Sequence, residues 1–230
     1  MENSSVRRAG KIRVVPTLIL VNCAIFGLET LLGPVAQRRL FEIFALSDQG
    51  MMAGRWWQLI TYAFLHAPVE FLYFNFWHLL MNMAALWFAG RVVERMLRPK
   101  LFLLLYVLAA ISGGVFQLLF GLPHMPLVGA SGAVCGVLLA FTTLFPNWEV
   151  IALLMFVIPI RLRAKYLGWI VVGCSLLFML IGFEPRIGHA AHLGGCAVGY
   201  LFVRFLGRGE QTWPERWLFP RKRSLRASAP

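Results

Sequence analysis

Hydrophobic positions in this chain come in long unbroken runs, not in the alternation of half-buried strands or the one-sided stripes of soluble helices. Six runs stand out, at about 14–33, 72–90, 101–122, 129–146, 166–184 and 188–206. At roughly 1.5 Å per residue each is long enough to cross about 30 Å of hydrocarbon as a helix. The pattern predicts an all-α polytopic membrane protein with six transmembrane helices. A further apolar run, Ile151 to Ile160, is only ten residues long and contains Pro159. It reads as an interfacial hairpin or a short extended piece, not a seventh span.

Composition agrees. The 230 residues are 59% apolar, and 22 Lys+Arg stand against 10 Asp+Glu. The cations sit between the apolar runs and not on an aromatic-studded polar surface, which argues against nucleic acid as a partner. Counted by loop, eighteen of them fall in the N-terminal segment, in 91–100, in 161–165 and from Arg204 onward. Only Arg38, Arg39, Arg55 and Arg186 fall on the other side. That asymmetry puts both termini in the cytoplasm of a bacterial cell, with the protein in the inner (plasma) membrane. The division is then a cytoplasmic segment 1–13, a six-span membrane domain 14–206 and a basic tail 207–230. The first apolar run lacks an Ala-x-Ala exit and reads as a retained signal anchor.

Two loops carry more than connection. The outward loop 34–71 is long and holds Phe41, Phe44, Leu46, Trp56 and Trp57, too apolar a set for disorder. Its Trp pair suits the outer headgroup region. The tail, with Trp213, Trp217 and Arg221-Lys222-Arg223, reads either as a solvated end or as a segment touching anionic lipid. Cys23, Cys135, Cys174 and Cys196 all fall in apolar runs without a CxxC pair, so neither a disulfide framework nor a zinc knuckle is indicated.

Polar groups inside the runs are few and share one level. With this orientation, Ser131 lies just inside the fourth span, His192 just inside the sixth, and His78 and Asn82 somewhat deeper in the second. All four fall in the outer half of the bilayer, and the His78-x-x-x-Asn82 spacing projects both side chains from one helix face. All five histidines, His66, His78, His124, His189 and His192, fall on the outer side. Imidazole can take a serine proton and return it to a leaving amine, while donors from the second span stabilise an oxyanion. The only aspartate, Asp48, is in the long loop, so a Ser131–His192 dyad fits better than a triad.

Blander readings compete. Gly129-Ala130-Ser131-Gly132 and Gly195-x-x-x-Gly199 also suit close helix packing. His189 and His192 have metal-ligand spacing, yet there is no His-Glu-x-x-His and no carboxylate in these outer segments, so no metal is expected. A transporter with a histidine relay would spread polar residues through the whole depth of the membrane. Glu29 and Glu94 read as structural partners.

Taken together, Gly129-Ala130-Ser131-Gly132, Ala191-His192-x-x-Gly195-x-x-x-Gly199 and His78-x-x-x-Asn82 resemble the rhomboid family of intramembrane serine proteases. Gly54-Arg55-Trp56-Trp57, Phe64-Leu65-His66 and Gly90-x-x-x-Glu94 add to the likeness, which runs from about residue 50 to 206. The resemblance implies the six-helix bundle of bacterial members, with Ser131 as nucleophile and His192 as general base. It implies an oxyanion site made by the Ser131 backbone N–H, His78 and Asn82. It also implies transmembrane proteins as substrates, cut near the outer face, with membrane lipid as surroundings and no cofactor. The alternative within the same resemblance is a weak or inactive homologue that binds transmembrane helices without cutting them.

Two departures from the family pattern stand out. Cys135 replaces an aromatic residue four positions after the serine, which is expected to remove ring stacking on His192. Gln58 follows Trp57 where Arg is common, which is expected to weaken a loop-positioning hydrogen bond.

Overall fold

The computed structural model describes residues 13–66, 72–122, 125–154, 158–184 and 187–206. The expectations for the N-terminal segment before residue 13, for His124, for Arg186 and for the tail 207–230 lie outside the described residues.

Helix α1 (Val14–Leu31) begins after Arg13, which offers no side-chain cap. Four backbone N–H groups at a helix start have no partner within the helix. Here a side chain from elsewhere supplies two: Glu94 Oε1 accepts from Val14 N–H at 2.7 Å and Oε2 from Val15 N–H at 3.2 Å. The carboxylate also faces the positive end of the helix dipole. Glu94 is buried, and its role is the structural one expected of it.

The long outer loop is built of short helices. They are α2 (Pro34–Phe44), α3 (Asp48–Met52), α4 (Gln58–Thr61) and a 3-10 turn over Tyr62–Phe64. Pro34 pre-sets the first turn of α2, and the Ser47 hydroxyl caps α3 by accepting from Gly50 N–H at 3.1 Å. The expected loss at Gln58 is not found. Gln58 is fully buried, accepts from Ser47 N–H at 3.2 Å and donates to the carbonyls of Glu42 and Ile43 at 3.1 and 3.2 Å. A neutral amide, which both donates and accepts, holds the loop without the desolvation cost of a guanidinium.

Helix α5 (Leu72–Ala85) runs through a π-helical turn, Leu86–Gly90, into α6 (Arg91–Phe120). The helical run breaks at Arg98, whose φ of 66° and ψ of 157° precede Pro99. Proline excludes the α conformation from the residue before it, so this is the corner between two helical pieces. Beyond the corner, Phe102, Leu105, Tyr106, Ala109, Ala110, Gly113 and Gly114 make one buried stripe at 3–4-residue spacing. That stripe faces both α7 (Ser131–Leu144) and α9 (His189–Leu206).

Between α7 and α8 (Ala164–Ile181) lies an antiparallel pair, β1 (Glu149–Leu154) and β2 (Ile158–Arg163), in register from Glu149↔Arg163 to Leu154↔Ile158. The short apolar run is thus a hairpin. Helix α8 ends at Gly182, left-handed with φ 66°, and turns Trp169, Ile170, Leu177, Leu180 and Ile181 outward. Among the described residues, three helices are long and apolar enough to cross a membrane: Val14–Leu31, the run Phe76–Phe120 that contains the Arg98 corner, and Ala164–Ile181. Their exposed apolar faces suit lipid as solvent.

The centre of the fold is the α7–α9 contact. A Cβ on Gly195 would run into the Gly132 carbonyl, and one on Gly199 into the Gly136 carbonyl. Only glycine permits backbones this close, and the packing reading of both motifs is therefore correct whatever else they do.

Two measurements follow. Gly199→Ala should destabilise the fold by about 1–3 kcal/mol, because a methyl must push α9 off α7; thermal or denaturant unfolding in detergent checks it. Glu94→Ala should cost about 1–3 kcal/mol by stripping the buried Val14 and Val15 N–H groups of their partner, with Glu94→Gln recovering part of it.

Candidate active site

Ser131 is the first residue of α7, and His192 lies in the first turn of α9. Because the glycines bring these two helix starts together, His192 Nε2 lies 2.9 Å from Ser131 Oγ. Both residues are half-buried. With Nε2 unprotonated, the Ser131 hydroxyl donates to the imidazole, the geometry of a nucleophile beside its base. The start of α7 adds its own chemistry. The first backbone N–H groups of the helix have no intrahelical acceptor and carry the positive end of its dipole, an arrangement that suits a developing oxyanion.

The lead into α7 is shaped by Gly129. Its φ of +117° is open to glycine and strained for other residues, and its N–H donates to the Tyr62 carbonyl at 3.0 Å. His78 packs on this turn, with Cε1 only 2.9 Å from where a Gly129 Cβ would stand. The histidine of α5 is thereby seated two residues from Ser131. Asn82 is buried one turn further along α5, and its Nδ2 donates to the His78 carbonyl at 2.8 Å. One amide hydrogen is thereby committed to its own helix.

The remaining expected residues fall as follows. Gly132 and Gly195 make the close backbone contact described above, as Gly199 does one turn on. His189 Nε2 lies 3.0 Å from the Phe183 carbonyl. Its ring stands edge-on to His192, centroids 5.9 Å apart at 87°. Cys135 does not stack on the base. It packs with Cys196 and Leu139, one helical turn beyond Ser131 and His192, and the Cys196 thiol points at the Cys135 carbonyl at 3.9 Å. The ring contact expected to be lost at Cys135 has a counterpart in His189, on the base's own helix.

Three further residues support the site; Tyr62 and Ser112 were not legible in the sequence, whereas His66 stood in the Phe64-Leu65-His66 match. Tyr62 is fully buried, and its hydroxyl donates to the Ala110 carbonyl at 2.7 Å. Burial pushes this phenol above its ordinary range, so it stays a donor. Ser112 Oγ donates to the Gly194 carbonyl at 2.9 Å, pinning α9 to α6 near the base. His66 is fully buried, and burial, followed by the nearby His78, holds its imidazole far below the usual value, at about 3. It is neutral at any physiological pH. Glu29, a carboxylate within an apolar run, gave a sequence signal as well, and its carboxylate accepts from His66 N–H at 3.1 and 3.2 Å.

Comparison with known proteins agrees in extent. The family model described as "Rhomboid domain" matches residues 53–209, more than half of the chain. The mitochondrial rhomboid protein 1 of Saccharomyces cerevisiae is 33% identical over 215 residues, covering 89% of this chain and 56% of that protein. Rhomboid protease GluP of Bacillus subtilis is 28% identical over 211 residues, 89% of this chain and 37% of that protein. Rhomboid protease AarA of Providencia stuartii is 27% identical over 216 residues, 84% of this chain and 72% of that protein. The chain thus spans 56% and 37% of the first two relatives' length. A domain match that takes in every residue of the Ser131–His192 site, joined to long apolar helices, makes the chain a membrane protein that belongs to the rhomboid family.

Proposed function

We propose that the chain is an intramembrane serine endopeptidase that cuts transmembrane segments of other membrane proteins near the outer face. The observation that carries the reading is the 2.9 Å approach of His192 Nε2 to Ser131 Oγ, at the joined starts of two helices. The relatives named as proteases support it.

Ser131 Oγ attacks the scissile carbonyl carbon while its proton passes to His192 Nε2. The carbonyl oxygen becomes an oxyanion, held by the Ser131 backbone N–H, His78 and the second amide hydrogen of Asn82. The imidazolium then protonates the leaving amine as the C–N bond breaks, which leaves an acyl ester on Ser131. A water molecule, deprotonated by His192, attacks that ester and releases the new C-terminus with Ser131 restored. Nothing in this sequence of steps calls for a metal or an organic cofactor.

Six spans with both termini cytoplasmic is the topology this reading takes, in a bacterial inner membrane. The Arg98 corner supports counting the run Phe76–Phe120 as two spans, and the hairpin 149–163 supports leaving the short apolar run out of the count. Ser131 and His192 then lie at the outer ends of their helices, where water can reach them. A helical substrate keeps its carbonyls engaged, so segments weakened by small or helix-breaking residues are the ones expected to be cut.

The test is reconstitution in liposomes with a reporter whose transmembrane segment contains such residues near its outer end. Wild type should cleave it near the outer surface by mass spectrometry. Ser131→Ala and His192→Ala should each lower turnover by about 10³-fold or more while leaving the unfolding transition in place. A Ser131→Ala protein that cleaves at the wild-type rate sinks the mechanism. A wild type that binds several reporters without cutting any is instead a helix-binding homologue. Asn82→Ala should cost less than the roughly 10²–10³-fold typical of losing a principal oxyanion donor, because the backbone and His78 remain.

A further inference from the structure

Glu29 sits in the apolar helix α1, only 1% exposed, and both its oxygens are turned to one loop amide, His66 N–H. A carboxylate in such a place is costly and is kept where it does something. The same turn of α1 is tied to α2 by Gln37 Nε2, which reaches the Glu29 carbonyl at 3.4 Å. The His66 side chain that this anchor holds is itself fully buried, and neither ring nitrogen has a hydrogen-bond partner among the described residues. Phe26 stands edge-on to the ring at 6.3 Å, and the His78 ring lies 5.9 Å away at a tilt of 57°. His78, for its part, rests on Gly129, two residues before Ser131.

A line of contacts therefore runs from α1 through the end of the outer loop to α5 and the start of α7. A buried imidazole with both nitrogens unsatisfied serves no packing purpose that phenylalanine or leucine would not serve better. What an imidazole adds is a polar edge that can donate or accept, set beside a second imidazole. A neutral histidine stabilises an oxyanion only when its N–H, and not its lone pair, faces that oxygen.

We propose that Glu29 and His66 are positioning residues for His78: the Glu29 carboxylate fixes the His66 backbone, and the His66 ring fixes the rotamer with which His78 presents its N–H at the oxyanion position. This inference rests on the proposed protease reading. Glu29 and His66 touch no substrate, and their effect passes through His78.

The experiment pairs kinetics with a readout that needs no turnover. Glu29→Leu and His66→Phe keep volume and remove the polar link. Each should lower kcat several-fold, less than the roughly 10²–10³-fold of losing a donor outright, with KM unchanged. Combined with His78→Ala, neither should cost much more, since the residue they position is gone. Glu29→Gln, which keeps an acceptor for His66 N–H, should restore most of the rate and guards against a variant that merely folds poorly.

In parallel, 15N spectra of histidine-labelled protein in detergent, with His78 assigned by its alanine variant, report the setting of the His78 ring through its chemical shifts. Glu29→Leu should shift the His78 signals and Glu29→Gln should not. Losses additive with His78→Ala, or unchanged His78 signals, overturn the inference. A wild type that cleaves nothing while Glu29→Leu still shifts the His78 signals supports the positioning and overturns the protease reading instead.

Discussion

The structure depends on the contact between α7 and α9. Gly132 and Gly136 present backbone carbonyls where Gly195 and Gly199 have no side chain, so the two helices meet at a distance no larger residue allows. In lipid, helix association draws on close van der Waals contact and not on expulsion of water, so small residues carry it. The same glycines set the level of the two helix starts. Ser131 and His192 stand in register because Gly195, three on from His192, meets the carbonyl of Gly132, one on from Ser131, where no side chain fits. Packing and candidate site are one feature here.

Around that contact, polar side chains settle backbone groups that a membrane protein cannot leave to water. Glu94 closes the start of α1, Gln58 ties three points of the outer loop, Tyr62 joins that loop to α6, and Ser112 ties α6 to α9. Each of these side chains bonds backbone, often across a large gap in sequence. These bonds tie the described part of the outer loop, residues 34–66, to its neighbours. It is joined to the site through Tyr62, whose carbonyl holds Gly129, and through Leu46, whose backbone pairs with Leu127 ahead of α7.

Substitutions that look like losses in a family pattern change meaning in this setting. Gln58 has two functional ends, and the structure uses both, so loop anchoring survives the absence of a guanidinium. Cys135 leaves no ring beneath His192, and it fits the narrow space beside Cys196 that the glycine contact creates. The ring neighbour of the base comes from His189 on its own helix. A residue-by-residue comparison with a motif misses such exchanges, because it sees one position at a time.

The sequence by itself determined where the helices lie, since apolar runs of this length have few other conformations open to them, and Pro99, Pro34 and Gly182 punctuate them locally. It also singled out Ser131 and His192 as candidates, because hydroxyl and imidazole groups beside glycines are conspicuous in such runs. The tertiary structure decided what meets what. That Glu94 caps α1, that Glu29 grips His66, that His78 leans on Gly129 and that Asn82 spends one hydrogen on its own helix are all long-range or rotamer-level outcomes. Periodicity reports which face of a helix is apolar. It does not report which neighbour that face meets, and the partners of buried polar groups are chosen only when the neighbours arrive.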